Sequence, residues 1–355
     1  MGCHEYLLQN ESGTEWLFIM DRAYINNESL KRIPTKNILF KKKHLLGWKF
    51  WYDYQLPSLI KKHKADLLIT TGGVASSSSV AQCAWVTSVL ENNQTSKGIS
   101  YYNFYKKKLE KTLRRSQTIF TCSEKSKNEI IKQYSFDEKN IAIIRSAPDE
   151  RYHILPWAEK ENIKVKYAAG KEYFIVAVDA LQQNLINVLK AFSQFKKRQQ
   201  SNMQLVLAGK GLKNDLGFIE KLETFKYRSD VHVYENINEN DFIKLISAAY
   251  SLIHSFMEDE IGSLILNAFK ANVPVITTEE GSLGEIAADA ALYANANEPG
   301  SLANQLMLLY KDEKLRLQLI EKGELQWRQF NRNEPMEQLR NAIMHAAQSN
   351  HNNSM

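Results

Sequence analysis

No run of about 18 apolar residues occurs in the chain, so no membrane-spanning helix is expected. The start, Met1, Gly2, Cys3, His4 and Glu5, lacks the basic and apolar regions of a secretory signal. Gly2 would suit myristoylation, but Tyr6 stands where that motif has Ser or Thr. Cysteine is scarce: Cys3, Cys83 and Cys122 are odd in number and far apart. That spacing suits neither a metal nor a redox pair, and points to buried thiols in a reducing compartment. No two of the eight histidines lie four apart, so no protein-bound metal is expected. These absences lead us to expect a cytoplasmic protein.

What remains is the composition of an ordinary globular chain. Its 355 residues are 44% hydrophobic and 24% charged, and that length suits two domains. The net charge of +6 is unevenly spread: residues 1–160 hold 25 basic and 16 acidic side chains, the remainder 21 and 24. Basic runs occur at 41–43, at 61–64 and between 106 and 115. A solvated surface accounts for such runs. The sharper reading is attraction to anionic lipid headgroups at the inner membrane face, or to an anionic acceptor. Nucleic acid is not expected, because no recognised binding motif accompanies the charge.

Along the chain, apolar runs alternate with helical periodicity, which predicts parallel sheets. Residues 1–10 read as the end of a helix, and 15–20, 37–40, 66–70, 83–89, 118–122 and 140–145 as strands. Trp48, Trp51, Tyr52 and Leu56 form a helical stripe that should stop near Pro57. Residues 101–115 read as a basic amphipathic helix, and Ser123 as the N-cap of a helix reaching Tyr134. The polar stretch 148–166, with Pro148 and Pro156, reads as the interdomain boundary. Strands then follow at 173–178, 203–208, 231–234, 250–254, 273–276 and 291–293, with helices between them. The expected domains are 1–155 and 165–330, with 331–355 a C-terminal helix and polar tail.

One stretch, 255–285, organises the second half. An acidic turn of Glu258, Asp259 and Glu260 precedes Ile261, Leu264, Ile265, Ala268 and Phe269 at helical spacing. Then come Val273-Pro-Val-Ile and a turn from Gly281 to Gly284. In an open parallel sheet, ligands sit where strands end in this way.

This pattern resembles the nucleotide-sugar site of retaining GT-B glycosyltransferases of family 4, over nearly the whole chain. Asp259-Glu-Ile-Gly262 falls on the family's Glu-Gly-Phe-Gly, Asn267-Ala-Phe on Glu-Ala-Met, and Asn272-Val-Pro-Val on Gly-x-Pro-Val. The resemblance implies an α/β GT-B fold: two Rossmann-like domains with parallel sheets facing across a cleft. It implies donor binding on the second domain, acceptor binding on the first, and no metal or cofactor beyond the nucleotide-diphosphate sugar itself.

The site departs from that pattern at the residues that carry charge. Where the family has Arg and Lys to grip the diphosphate, this chain has Gln182 and Gln183. Neutral amides can hydrogen-bond a phosphate, but charge-assisted bonds are about twice as strong. The ribose-contacting Glu is Asn267, and the tentative catalytic acid is Asp259, one methylene shorter than Glu. Glu285 matches a family position lining the cleft, and Glu258, beside Asp259, is a further donor-binding candidate. Gly262 permits close backbone approach at a helix start, where N–H groups favour phosphate. Gly209-Lys210-Gly211 sits at a strand end, and Lys210 could replace a lost cation.

The resemblance further implies that a central first strand and its Gly-rich loop are absent ahead of Glu5, leaving a hole in the sheet. Two readings stay open. One is a hexosyltransferase acting from a nucleotide-sugar on a saccharide or lipid-linked acceptor in cell-surface polysaccharide synthesis. The other is a catalytically inactive relative acting as a binding or partner module, or a truncated gene product.

Overall fold

A computed structural model describes residues 14–20, 36–39, 50–71, 76–87, 99–178, 185–212, 215–254, 262–279, 281–330 and 333–352. The predicted first helix, Cys3, Trp48, Gln182, Gln183, Glu258 and Asp259 lie outside these residues. The chain divides into two compact units, Met1–Ile144 with Arg332–Met355, and Arg145–Asn331. Both are α/β with parallel sheets.

The first unit opens with β1 (Leu17–Met20) and β2 (Lys36–Leu39), a parallel pair. One π-helical turn, Trp51–Gln55, runs directly into α1 (Leu56–Lys62). Pro57 therefore does not stop the stripe of Trp51, Tyr52 and Leu56. It stands in the first turn of α1, where a missing N–H is tolerated. Next come β3 (Leu67–Thr70), β4 (Ala81–Trp85), α2 (Ile99–Arg115), β5 (Ser116–Thr121), α3 (Glu124–Tyr134) and β6 (Ile141–Ile143). Ser123 caps α3 as expected, its side chain accepting from the Ser126 N–H at 3.1 Å.

Strands β3 to β6 form one parallel sheet in chain order. Alternating side chains feed two apolar layers. Cys83 and Phe120 pack with Met336, Leu339 and Ile343 of the C-terminal helix, Asn333–Asn352. Ala84 and Ile119 pack with Leu109 and Leu113 of α2 and Ile130 of α3. Burial pushes the Cys83 thiol up to about 12, which suits an inert core thiol. The β1–β2 pair is a separate sheet. Ile19 of β1 nevertheless packs beside Leu68 of β3 on the Trp51, Leu56 and Ile60 cluster.

In the second unit the stretch expected to be a boundary holds α4 (Trp157–Ala168). Tyr152, Leu155, Ile163, Tyr167 and Ala168 are buried in its core. Charged residues between these apolar ones give the segment its polar composition. There follow β7 (Tyr173–Val178), α5 (Leu185–Gln199), β8 (Gln204–Gly209), α6 (Leu216–Glu223), β9 (Val231–Glu235) and α7 (Glu239–Ser247). Then come β10 (Ser251–His254), α8 (Ser263–Lys270), β11 (Val275–Thr277), α9 (Leu283–Ala287), β12 (Ala291–Tyr293), α10 (Pro299–Lys311) and α11 (Glu313–Arg328).

The six strands are parallel in the order β12-β11-β10-β7-β8-β9. Every residue of β7 is buried, as its unbroken apolar run predicts for a central strand covered on both faces. The order reverses direction between β7 and β10. That is the topological switch point of a Rossmann-type sheet, and ligands bind beyond the carboxyl ends of the strands beside it.

Candidate functional site: the carboxyl edge of the second sheet

Residues 179–184 follow β7 in the chain and residues 255–261 follow β10. They include Gln182, Gln183, Glu258 and Asp259, none of which is among the described residues. The neighbouring elements are described, and they show how backbone is brought to this edge.

At the end of β8, Gly209 runs hard against β7. A Cβ there would lie 1.8 Å from the Val178 carbonyl oxygen, so only glycine fits. The Lys210 N–H donates to that oxygen at 3.0 Å, and the Asn236 N–H donates to the Gly209 carbonyl at 3.0 Å. The Gly211 N–H donates to Glu235 Oε1 at 3.1 Å. This turn is thus tied to the ends of both β7 and β9, and the Lys210 side chain stands exposed upon it.

Beyond β10, Gly262 precedes α8 with φ at 57°, a left-handed conformation that glycine adopts freely. A Cβ there would meet Ile286 Cδ1 at 2.5 Å. Gly262 thus lies against the residue next to Glu285, although the two are far apart in sequence. Among the described residues no side chain caps α8. Its amino end has the partial positive charge that favours an anion.

Asn267 and Glu285 are engaged within the unit. The Asn267 side chain is buried on α8 and its Oδ1 accepts from the Asp149 N–H at 2.7 Å. One turn on, Lys270 Nζ donates to the Asp149 carbonyl at 3.3 Å and to Glu150 at 2.8 Å. Glu285 Oε1 accepts from Arg145 Nη2 at 3.2 Å. Sequence reading missed Arg145, Asp149 and Lys270. Their partners lie more than a hundred residues away, so no local spacing marks them.

The ends of β10 and β11 add His254 and Thr277, register partners that are both buried. The Thr277 hydroxyl has no hydrogen-bond partner among the described residues. Tyr293 bonds the carbonyls of Gly284 and Ala288, and burial pushes its hydroxyl up to about 12. No group of three or more His, Cys, Asp or Glu that could hold a metal occurs among the described residues. No helix among them is long and apolar enough to cross a membrane.

A depression at the amino ends of β8 and β9 includes Lys196, Ser201, Lys226 and Asp230. Lys196 there pairs with Asp230 at 2.9 Å and donates to the Ser201 and Met203 carbonyls. Its charge serves the fold, and the depression lies at the sheet edge opposite the carboxyl ends of the strands.

A parallel six-stranded sheet with glycines at its carboxyl edge has relatives. Residues 159–326 match the family Glycosyl transferases group 1. The chain is 22% identical over 231 residues to O-antigen chain mannosyltransferase B of Escherichia coli, covering 64% of this chain and 60% of that protein. It is 22% identical to O-antigen chain mannosyltransferase RfbU of Salmonella typhimurium, over 57% of this chain and 52% of that protein. The matches therefore span only a little over half the length of these curated relatives.

Among solved structures, WaaG, a glycosyltransferase involved in lipopolysaccharide biosynthesis, superposes with a TM-score of 0.76 at 16% identity, over 96% of this chain and 95% of that one. Anabaena HepE in complex with UDP and glucose gives 0.72 at 13% identity, over 97% and 95%. The fold is α/β with two Rossmann-like domains, that of GT-B glycosyltransferases.

Proposed function

We propose that this chain transfers a hexose from a nucleotide-diphosphate sugar to a saccharide or lipid-linked acceptor in cell-surface polysaccharide synthesis. The carrying observation is the pair of close backbone approaches at one sheet edge, Gly209 over β7 and Gly262 at the start of α8. Both bring backbone, and α8 its amino end, to the edge where a diphosphate would lie. Lys210 supplies the cation that Gln182 and Gln183 do not, and Asp259 is the acid nearest the family's catalytic position. The low identity to O-antigen mannosyltransferases supports the polysaccharide setting. The protein acts on the cytoplasmic side, in peripheral contact with an anionic membrane.

Turnover should be slow. Loss of one transition-state donor typically lowers the rate about 100- to 1000-fold, and two family cations are replaced here. Calorimetry and a transfer assay with uridine- and guanosine-diphosphate sugars test this. Lys210→Ala should weaken donor binding about tenfold, as expected for a lost charge-assisted bond. Donor binding unchanged in that variant would remove Lys210 from the site.

The second reading is an inactive relative that retains the frame, and Asn267 favours it. Its carbonyl oxygen is already held by the Asp149 N–H. Failure of every donor to bind at millimolar concentration would establish that reading over the first.

A further inference from the structure

Gln182 and Gln183 stand in the sequence where the glycosyltransferases it resembles have cations. Lys210, at the end of β8, answers one of those losses. The fold brings a second cation to the carboxyl edge of the same sheet, from the segment that opens the second unit at Arg145.

That segment is fixed at two points. In the carboxyl half of α8, Asn267 Oδ1 accepts from the Asp149 N–H, and Lys270 Nζ donates to the Asp149 carbonyl. At the other point, Arg145 Nη2 donates to Glu285 Oε1 at 3.2 Å. Glu285 adjoins Ile286, whose side chain lies against Gly262 at the amino end of α8. The segment therefore runs back along α8, from its carboxyl half toward its amino end. The lengths agree. Between Gly262 and Asn267 the helix rises about 7.5 Å, and the chain from Asp149 back to Arg145 spans at most about 14 Å.

The Arg145 guanidinium thus stands near the helix end whose partial charge favours an anion. Its side chain is 42% exposed and that of Glu285 29%, and an ion pair so open to water is weak. The edge also holds an unmet polar group. Thr277, 2% exposed, ends β11 with a hydroxyl that has no hydrogen-bond partner among the described residues.

We propose that Arg145 binds the diphosphate of a nucleoside diphosphate, turning to it from Glu285. The planar guanidinium matches two phosphate oxygens at once, and such charge-assisted pairs outlast an exposed carboxylate contact. Lys210 and Arg145 then meet the diphosphate from the β8 side and the β10 side of the switch point. This rests on the donor-site reading above, but its test measures nucleotide binding and not sugar transfer.

The experiment is calorimetric titration of the full chain with UDP and GDP, and with uridine and guanosine. Arg145→Gln should weaken diphosphate binding about tenfold, as for a lost charge-assisted bond, and leave nucleoside binding unchanged. Arg145→Lys keeps the charge without the fork and should recover part of that loss. Glu285→Gln removes the competing carboxylate and should strengthen diphosphate binding about two- to threefold. A purely structural ion pair gives a different pattern, because either variant breaks it and both then weaken nucleoside and diphosphate alike. A circular dichroism melt that matches the wild type shows that each variant is folded. Unchanged diphosphate affinity in Arg145→Gln overturns the proposal and leaves the donor reading in place, as does an equal loss in Arg145→Gln and Glu285→Gln. Diphosphate binding that depends on Arg145, in a protein that transfers no sugar, supports the proposal and removes the activity. A wild type that binds neither UDP nor GDP overturns both.

Discussion

The second unit places its six strands in one parallel sheet, whereas the described strands of the first divide into a sheet of four and a pair. The difference lies in what each sheet leans on. In the second unit β7 is central and wholly buried, with α4, α7 and α8 on one face and α5, α6 and α10 on the other. In the first, β1 and β3 share an apolar cluster through Ile19 and Leu68 without sharing a ladder. One face of the four-stranded sheet is covered by the C-terminal helix. Cohesion in the second unit comes from a continuous ladder. The first unit relies more on side-chain packing between separate pieces.

The largest effects should come from the cores. Phe174→Ala removes a fully buried ring that packs against Phe195 at 5.3 Å and should cost about 3–5 kcal/mol. Leu339→Ala removes a contact between the C-terminal helix and the four-stranded sheet and should cost about 2–5 kcal/mol. Calorimetry of the whole protein should show each change lowering a different transition. If both variants lower a single transition equally, the units do not melt separately and the contrast fails.

Next in size is Gly209→Ala. The new methyl carbon would overlap the Val178 carbonyl oxygen, so β7 and β8 must part at their carboxyl ends. Overpacking of this kind costs about 1–3 kcal/mol. Donor affinity should fall more than stability, because the disturbed backbone is the proposed phosphate cradle. A variant that binds donor as tightly as the wild type would remove the 209–211 turn from the site. By contrast Gly281→Ala, where a Cβ would meet nothing within 4 Å, should keep donor binding even though its φ of 63° is strained.

How legible all this was in the sequence follows the same division. Strands whose burial is complete, such as Tyr173–Val178, have apolar runs that mark both ends. Ser123 was legible because a cap bonds within three residues of itself. The glycines at 209 and 262 stood out because a glycine at a strand end or a helix start marks close backbone approach. Contacts that join remote segments leave no such trace. Neither the bond between Asn267 and the Asp149 N–H nor the pair of Arg145 and Glu285 follows from local spacing. The helix Trp157–Ala168 was read as a boundary because composition averages its buried Ile163 and Tyr167 with the lysines and glutamates between them. Pro57 was read as a stop because a π-helical turn ahead of it cannot be inferred from spacing.

Asn267→Ala sharpens the question of what that residue does. It leaves the Asp149 N–H without its side-chain acceptor, and an unmet buried donor costs about 1–3 kcal/mol. If Asn267 serves only the 149–150 segment, the variant should lose stability with donor binding unchanged once corrected for folding. Asn267→Asp keeps the acceptor and should restore most of that stability. A loss of donor affinity in both variants, with the fold intact, would instead give Asn267 a direct role at the ribose.

The smallest effect is a test of pH. In the second unit Tyr167 and Lys166 of α4 reach across to Asp241 of α7, at 2.7 and 3.0 Å. Bonds from Tyr167, Lys166 and Asn238 hold the Asp241 carboxyl at about 2, below its ordinary 3.8. A lowered carboxyl adds stability that is fully present above its unfolded value and is lost as pH falls through the folded one. The stabilisation is therefore complete above about pH 4.5 and fades toward pH 2, and screening at this partly exposed site limits it to about 1 kcal/mol. Asp241→Asn should lower the melting temperature of the second unit at pH 7 by a few degrees and leave it nearly unchanged at pH 2. Asp53 of the first unit behaves in the same direction. Burial raises its carboxyl, but bonds from Lys108 and Ser77 outweigh that and leave it lowered. Acid should thus weaken both units. Asp149, Glu239, Asp289 and Glu313 of the second are also lowered, so Asp241→Asn should remove only part of that sensitivity, and from the second unit alone. A variant whose difference from wild type is the same at pH 7 and pH 2 would mean that Asp241 acts through packing and not through its charge.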